Sequence, residues 1–233
     1  MSTDAIGQAL LAFYNHKDNT DIVVKSSITE DDIIPIEYLF RTYAQMPVIE
    51  QKALDLCEGK VLDVGAASGC HSKILKEKRI DVTAIDISGG AVEVMNLQGI
   101  AAKNQNFFDV TEKHDTLLFL MNGVGIAGTL NELSQFLNHA KSLLKPNGQI
   151  LLDSSDIAYL FKEDDGSEWI NINTNYYGEV SYQMEYKNHL TEPFNWLFVD
   201  FEKLKEVAIS CGLKCELVCE GEHYDYLARL SIL

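Results

Sequence analysis

Between residues 60 and 153 the apolar positions fall into short blocks, separated by turns and by stripes at helical spacing. Residues 61–64 form one block and residues 81–86 a second, each bounded by charge or glycine. Residues 100–108 contain a third, which ends at Asp109. Residues 116–122 are almost continuously apolar, as a parallel strand buried on both faces requires. Residues 149–153 form a fifth block after the turn Lys145-Pro146-Asn147-Gly148. Between these blocks, residues 71–79 and the run Ala91, Val92, Val94, Met95 stopped by Gly99 read as helices. Leu130, Leu133, Phe136, Leu137, Ala140, Leu143 and Leu144 trace the clearest helical stripe of the chain. Strands alternating with helices predict an α/β fold with a doubly wound, mostly parallel sheet and right-handed crossovers.

Two stretches depart from this rhythm. Residues 1–58 carry Ile6, Ala9, Leu10 and Phe13 at helical spacing, then a β-branched run over 21–27. Residues 36–46 read as a helix, and Pro47 opens another that Gly59 closes. With no strand–helix repeat of its own, 1–58 is expected to be a helical cap on a domain spanning 59–233. Residues 154–199 hold nearly half of the aromatic residues, among them Trp169, Tyr176, Tyr177, Tyr182, Tyr186 and Trp196, and read as an insertion with a strand over 179–186. After it, 201–211 is a helix, and 213–219 and 226–233 are strands. The link between them is too short for a parallel return, which needs about a dozen residues. The sheet should therefore have seven strands and end in an antiparallel hairpin.

Composition narrows the function. A chain of 233 residues that is 46% hydrophobic can bury a full core. No apolar run approaches the roughly 18 residues that cross a bilayer, and Met1-Ser2-Thr3-Asp4 lacks a basic leader, so a cytoplasmic protein is expected. The five cysteines form no CxxC pair and read as reduced thiols rather than metal ligands. A net charge of −16 repels phosphate backbones, which disfavours nucleic acid as a partner. Lys73, Lys76, Lys78 and Arg79 read as the solvated face of one helix. No feature speaks to oligomeric state.

The chemistry concentrates at Val61-Leu62-Asp63-Val64-Gly65-Ala66-Ala67-Ser68-Gly69, followed by Cys70-His71-Ser72. An apolar strand that breaks into glycine and small residues leaves backbone N–H groups bare at the mouth of a sheet. The dinucleotide fingerprint needs glycine at 65, 67 and 70, and only Gly65 fits. The stretch resembles instead motif I of the class I S-adenosylmethionine-dependent methyltransferases, an acidic residue followed by x-G-x-G-x-G. Asp63, Gly65 and Gly69 match, and Ala67 stands at the middle glycine. The segment Leu144-Lys145-Pro146-Asn147-Gly148 is similar to the family's L-x-P-G-G turn, with Asn147 for its first glycine. Motif-level likeness spans about 60–155, and the terminal hairpin extends it by fold pattern.

The resemblance implies S-adenosylmethionine as cofactor and a methyl acceptor as substrate. Asp86, followed by Ile87, closes the second strand, where a carboxylate suits the cis-diol of a ribose. Asp109 resembles the family's acid near the adenine amino group, and Asn122 begins its loop after the fourth strand. The cofactor site is thus expected to comprise Asp63, Gly65, Ala67, Gly69, Asp86, Ile87, Asp109 and Asn122. The N-P-P-Y motif of amino-group methyltransferases acting on adenine or glutamine is absent after Asn122. His71 and Asp153 are candidate bases by location only, so no catalytic residue is assigned. The leading function is methyl transfer to a small molecule, in an apolar site where the cap and the insertion meet over the cofactor. The rivals are a nicotinamide-dependent oxidoreductase and a cofactor-binding regulatory domain without catalysis.

Overall fold

The computed structural model describes residues 4–161 and 176–233, which leaves Trp169 outside. The helices are α1 (Ala5–His16), α2 (Val48–Leu56), α3 (Cys70–Glu77), α4 (Gly89–Leu97), α5 (Leu130–Ser142) and α6 (Phe201–Ser210). The strands are β1 (Ile22–Ser26), β2 (Asp32–Ile34), β3 (Lys60–Val64), β4 (Asp81–Asp86), β5 (Ala102–Asn104), β6 (His114–Phe119), β7 (Leu144–Ser155), β8 (Glu179–Tyr186), β9 (His189–Leu190), β10 (Phe194–Leu197), β11 (Leu213–Glu220) and β12 (Asp225–Ile232).

The main sheet has seven strands in the order β11-β12-β7-β6-β3-β4-β5. The pairs from β7 to β5 are parallel, while β12 runs antiparallel to both β7 and β11. Alternate side chains take opposite faces. Leu117 and Phe119 meet the α5 stripe and Leu204 of α6, whereas Leu118 and Leu151 meet Ile49 and Ala53 of α2 and Leu75 of α3. The predicted turn at 145–148 stays inside β7 as a bulge, with Asn147 left-handed and the partners of Leu144 and Gln149 being His114 and Thr116.

A second sheet joins the two stretches that broke the rhythm. Its order is β10-β8-β1-β2, with β9 pairing β8, and Val23 faces Glu185 across the β1–β8 ladder. Residues 1–58 do start with a helix, but they also supply β1 and β2, and α2 packs on the main sheet. The reading of 36–46 as one helix is corrected. Short 3-10 turns at Ile36–Phe40 and Tyr43–Gln45 flank Arg41, whose backbone is extended at φ −59°, ψ 150°. The third strand of the main sheet is also shorter than expected, because Asn106 caps a 3-10 turn, Phe107–Asp109, that buries Phe107. Asp109 is therefore not a strand-end residue.

Helix α1 lies between the second sheet and α4, with Ala5, Ala9 and Leu10 packed against Ala91, Val94 and Tyr186. Asp4 caps α1 by accepting from Gly7 N, and it also accepts from Ser88 Oγ and Gly90 N. The two helices cross so closely that a Cβ on Gly90 would sit 2.6 Å from Gly7 Cα, whereas a Cβ on Gly89 would meet nothing within 4 Å. Gly89→Ala should stabilise the protein by about 0.5–1 kcal/mol through helix propensity. Gly90→Ala should destabilise it by about 1–3 kcal/mol through overpacking. Thermal unfolding of the two neighbours checks this, and equal effects would mean that the α1–α4 crossing is looser than described.

Candidate active site

The turn between β3 and α3 runs through three residues with positive φ, Gly65 at 69°, Ala67 at 49° and Gly69 at 79°. Four of its amides are engaged within the protein. Gly65 N and Ala66 N donate to Ile85 O, Ala67 N donates to Asp86 Oδ2 at 2.8 Å, and Gly69 N donates to Ala66 O. A Cβ on Gly69 would meet Met95 Cγ at 2.7 Å, so glycine is needed there for α4 to pack. Above Gly65 the nearest atom to an added Cβ is Ile126 Cδ1 at 3.5 Å, which leaves that face of the backbone accessible. Ser68 ties the turn to the N-terminal segment, because its hydroxyl donates to Leu39 O.

Around this turn lies a narrow cleft, lined by Leu39, Asp63, the turn itself, Cys70, His71, Leu120 and Met121. Asp63 is buried and accepts from Ser72 Oγ at 2.6 Å. Burial raises its carboxyl, with His71 and Ser72 pulling it back. Asp86 uses both oxygens as acceptors, from Ala67 N and from Ser88 N at 2.8 Å. A carboxylate has about four lone-pair sites, so two remain for a ligand. Ile87 beside it is 77% exposed, an apolar surface at the rim.

The fourth-strand loop is shaped by Asp153. This buried carboxylate accepts from Met121 N and Gly123 N, both at 3.0 Å, and so holds Met121 and Asn122 in consecutive left-handed conformations. Burial pushes Asp153 up to about 7, against the opposing pull of those amides. Asn122 donates through Nδ2 to Leu197 O and accepts from Ser154 Oγ. Its side chain ties the loop both to β10 of the second sheet and to β7 of the main sheet. Asp109 is exposed, and among the described residues its backbone bonds Asn106 O and Gln105 Nε2.

One cluster was not read from the sequence. Arg41 Nη2 donates to both oxygens of Glu50, His71 Nε2 meets Glu50 Oε2 at 2.9 Å, and all three residues are 5% exposed or less. Burial works against charge on Glu50, but His71 and Arg41 outweigh it and hold its carboxyl below the usual range. Burial also disfavours the His71 imidazolium, yet Cys70, Glu50 and Asp63 outweigh it and raise His71 well above its ordinary value. The signal that could have found Glu50 is its place between Ile49 and Ala53 on the inward face of α2.

The chain is similar to a solved SAM-dependent methyltransferase from Bacteroides fragilis in complex with S-adenosyl-L-homocysteine. The two share 45% identity over 99% of this chain and 95% of that one, with a TM-score of 0.93. The DhpI–SAM–HEP complex is similar in fold at 15% identity and a TM-score of 0.62, covering 99% of this chain and 100% of that one. The sugar N-methyltransferase KedS8 from Streptoalloteichus sp ATCC 53650 is similar at 15% identity and a TM-score of 0.57, over 79% and 85% of the two chains. No protein-family model matches the chain, and no curated protein matches it in sequence.

Asp153 makes stability depend on pH in a defined direction. Its carboxyl is raised from 3.8 to about 7 in the folded state, so its neutral form stabilises the fold below the unfolded value. That contribution, about 4 kcal/mol at 1.36 kcal/mol per unit, shrinks as pH rises above the unfolded value and is lost as pH passes through 7. Asp153→Asn should remove this slope. Denaturant unfolding of both proteins at pH 5 and pH 8 should show the wild type losing its advantage at the higher pH, and parallel pH profiles would rule out a neutral Asp153.

Proposed function

The chain belongs to the class I S-adenosylmethionine-dependent methyltransferases, and on that premise we propose that it methylates a small molecule held between the glycine turn and the second sheet. S-adenosylmethionine is the cofactor, and when bound it supplies a methyl group on a positively charged sulfur that leaves as a neutral thioether. The nicotinamide reading falls away with the family, because the relative at 45% identity holds S-adenosyl-L-homocysteine.

The observation that carries the cofactor-site assignment is the β3–α3 turn, with three positive-φ residues and an open face above Gly65. We assign the backbone of Gly65, Ala67 and Gly69 to the cofactor's adenosyl-to-sulfur region, and the two unused acceptor sites of Asp86 to the ribose hydroxyls. Ile87 gives an apolar rim for the adenine face, Asp63 an acceptor inside the cleft, and Met121 and Asn122 a backbone wall. Asp109, exposed on the Phe107–Asp109 turn rather than at a strand end, stays in the proposed set on the family resemblance. The protein's main task is to hold acceptor and methyl in line, and orientation of this kind supplies much of the rate.

A small acceptor fits the surroundings. The charge of −16 opposes a polyanionic substrate. The 1–58 segment and the 154–199 insertion share one sheet, and Trp196 packs over Gly125 of the loop that Asp153 shapes. We take these two segments as one cap that forms the acceptor pocket over the domain 59–233. KedS8, which shares the fold, is a sugar N-methyltransferase.

Labelled S-adenosylmethionine incubated with separated cell fractions tests the acceptor class. Label should appear in the small-molecule fraction, and label confined to RNA or protein would overturn the reading. For the cofactor site, Asp86→Ala should weaken S-adenosylhomocysteine binding about ten- to a hundred-fold, since bonds to a charged acceptor contribute roughly 1.5–3 kcal/mol. It should also lower the melting temperature, because Ala67 N and Ser88 N lose their acceptor. Calorimetry that finds unchanged affinity in the folded variant would displace the site map.

A further inference from the structure

We propose that Tyr224 and Tyr159 form a stacking platform for the methyl acceptor, and that this acceptor is an uncharged or cationic aromatic compound. The proposal rests on the small-molecule reading above and gives that reading a chemical class. Tyr224 lies in the link between β11 and β12, and Asp225 after it pairs with Ser155 at the end of β7. Strands β6 and β7 run parallel, so this end of β7 lies on the same side of the sheet as Leu120 and Met121 of the cleft. Asp156 follows closely on Asp153, whose carboxylate shapes the loop beside that cleft.

The backbone of Tyr224 is what asks for a ligand. Its φ of 59° lies in the left-handed region, which a bulky aromatic residue rarely adopts, and the residue is 66% exposed. The bonds around it impose that conformation. Tyr224 O accepts from Asp156 N at 2.9 Å, while Asp225 accepts from Gly221 N through its carbonyl and from His223 N through Oδ1. A strained residue that buries so little of itself adds little to the fold, and strain of this kind gathers at ligand sites. What the strain secures is the position of a ring. Tyr224 lies 4.9 Å from Tyr159 at an interplanar angle of 18°, and both remain exposed, so a near-parallel pair offers ring surface to solvent.

Ring–ring contacts are favourable beyond the area they bury, which selects a flat ring over a saturated one of equal size. Asp156 supplies a polar anchor beside the pair. Its carboxylate accepts from Tyr177 Oη at 2.8 Å and from Ala158 N at 2.9 Å, both on Oδ1. Among the described residues Oδ2 has no such donor, which suits a hydroxyl or amino hydrogen of a ligand. Burial, Tyr176 and Asp156 raise the Tyr177 hydroxyl, so it stays a donor to Asp156. Tyr176 in turn donates to Asp200 Oδ2 at 2.6 Å. Two carboxylates on this aromatic cluster would repel an anionic acceptor, which leaves the uncharged and cationic ones.

Two measurements test the class. When labelled S-adenosylmethionine is incubated with separated cell fractions, the labelled small-molecule product should show an aromatic ultraviolet spectrum. A labelled aliphatic product overturns the aromatic assignment and leaves the small-molecule reading standing, whereas label confined to RNA or protein overturns both. The second measurement needs no knowledge of the acceptor. Phenol and cyclohexanol share a hydroxyl and a similar size, but only phenol is flat, and each is titrated into the S-adenosylhomocysteine complex and followed by NMR. Phenol should bind about three- to ten-fold more tightly, as ring–ring contacts predict. Tyr224→Asn should abolish that preference while S-adenosylhomocysteine affinity stays within about two-fold, because the platform does not touch the cofactor cleft. The melting temperature of the variant should hold or rise, since asparagine tolerates left-handed backbone. Equal binding of phenol and cyclohexanol to the wild type overturns the proposal. A phenol preference that survives Tyr224→Asn does so too, and a lowered melting temperature beside it would assign the stack to the fold alone.

Discussion

The hydrogen bond from Ala67 N to Asp86 Oδ2 holds the turn on which the site depends. Ala67 occupies a left-handed conformation that costs an L-residue roughly 1–2 kcal/mol, and glycine would adopt it freely. The carboxylate offsets that cost by capturing the amide that the conformation presents. The same side chain also accepts from Ser88 N, and Ser88 Oγ in turn accepts from Ala91 N to start α4. One strand-end carboxylate thus fixes the backbone on both sides of the cleft's open edge. Asp153 repeats the device at the ends of β6 and β7, where it grips two amides around Met121 and Asn122.

These rigid backbones belong to the main sheet, but they do not enclose anything by themselves. Enclosure comes from chain segments that are remote in sequence. Pairing of β1 with β8 joins the first and last thirds of the chain into one sheet. Asn122 to Leu197 O, and Trp196 against Gly125, lock that sheet to the loop that Asp153 holds. Ser68 to Leu39 O does the same for the glycine turn.

The main sheet was legible because its signals are local. Apolar runs at 61–64 and 116–122 became β3 and β6, the stripe from Leu130 became α5 as far as Ser142 with Leu144 opening β7, and a short final link forced β11 and β12 into a hairpin. The second sheet was not legible as a sheet. Much of β8 is only partly buried, so no clean alternation marks it, and its partner lies far away in sequence. The helix expected over 36–46 failed for a tertiary reason. Arg41 needs an extended backbone there, with Nη1 on Tyr38 O and Nη2 on Glu50, and these contacts outweigh helical spacing. Asp109 misled because a carboxylate after an apolar run was taken for a strand end, whereas burial of Phe107 had already turned the chain. Among the eight residues named for the cofactor, Asp86 meets the glycine turn through Ala67 N, whereas Asn122 turns its side chain to Leu197 O and Ser154 Oγ.

The division of labour follows from what each part can supply. The parallel sheet here offers strand-end carboxylates as acceptors and turn amides that are mostly already paired, so it has little positive charge to give. Cationic side chains placed inside it would lack counter-ions and would be costly. Arg41 precedes α2 and pairs with Glu50 in that helix's first turn, and Glu50 in turn reaches His71 at the start of α3, so the buried cation arrives with its own carboxylate attached. Asp63, one residue before the end of β3, then stands across from it as the sheet's acceptor. The polarity of the cleft is therefore built across the junction of two chain segments, and neither segment carries it alone.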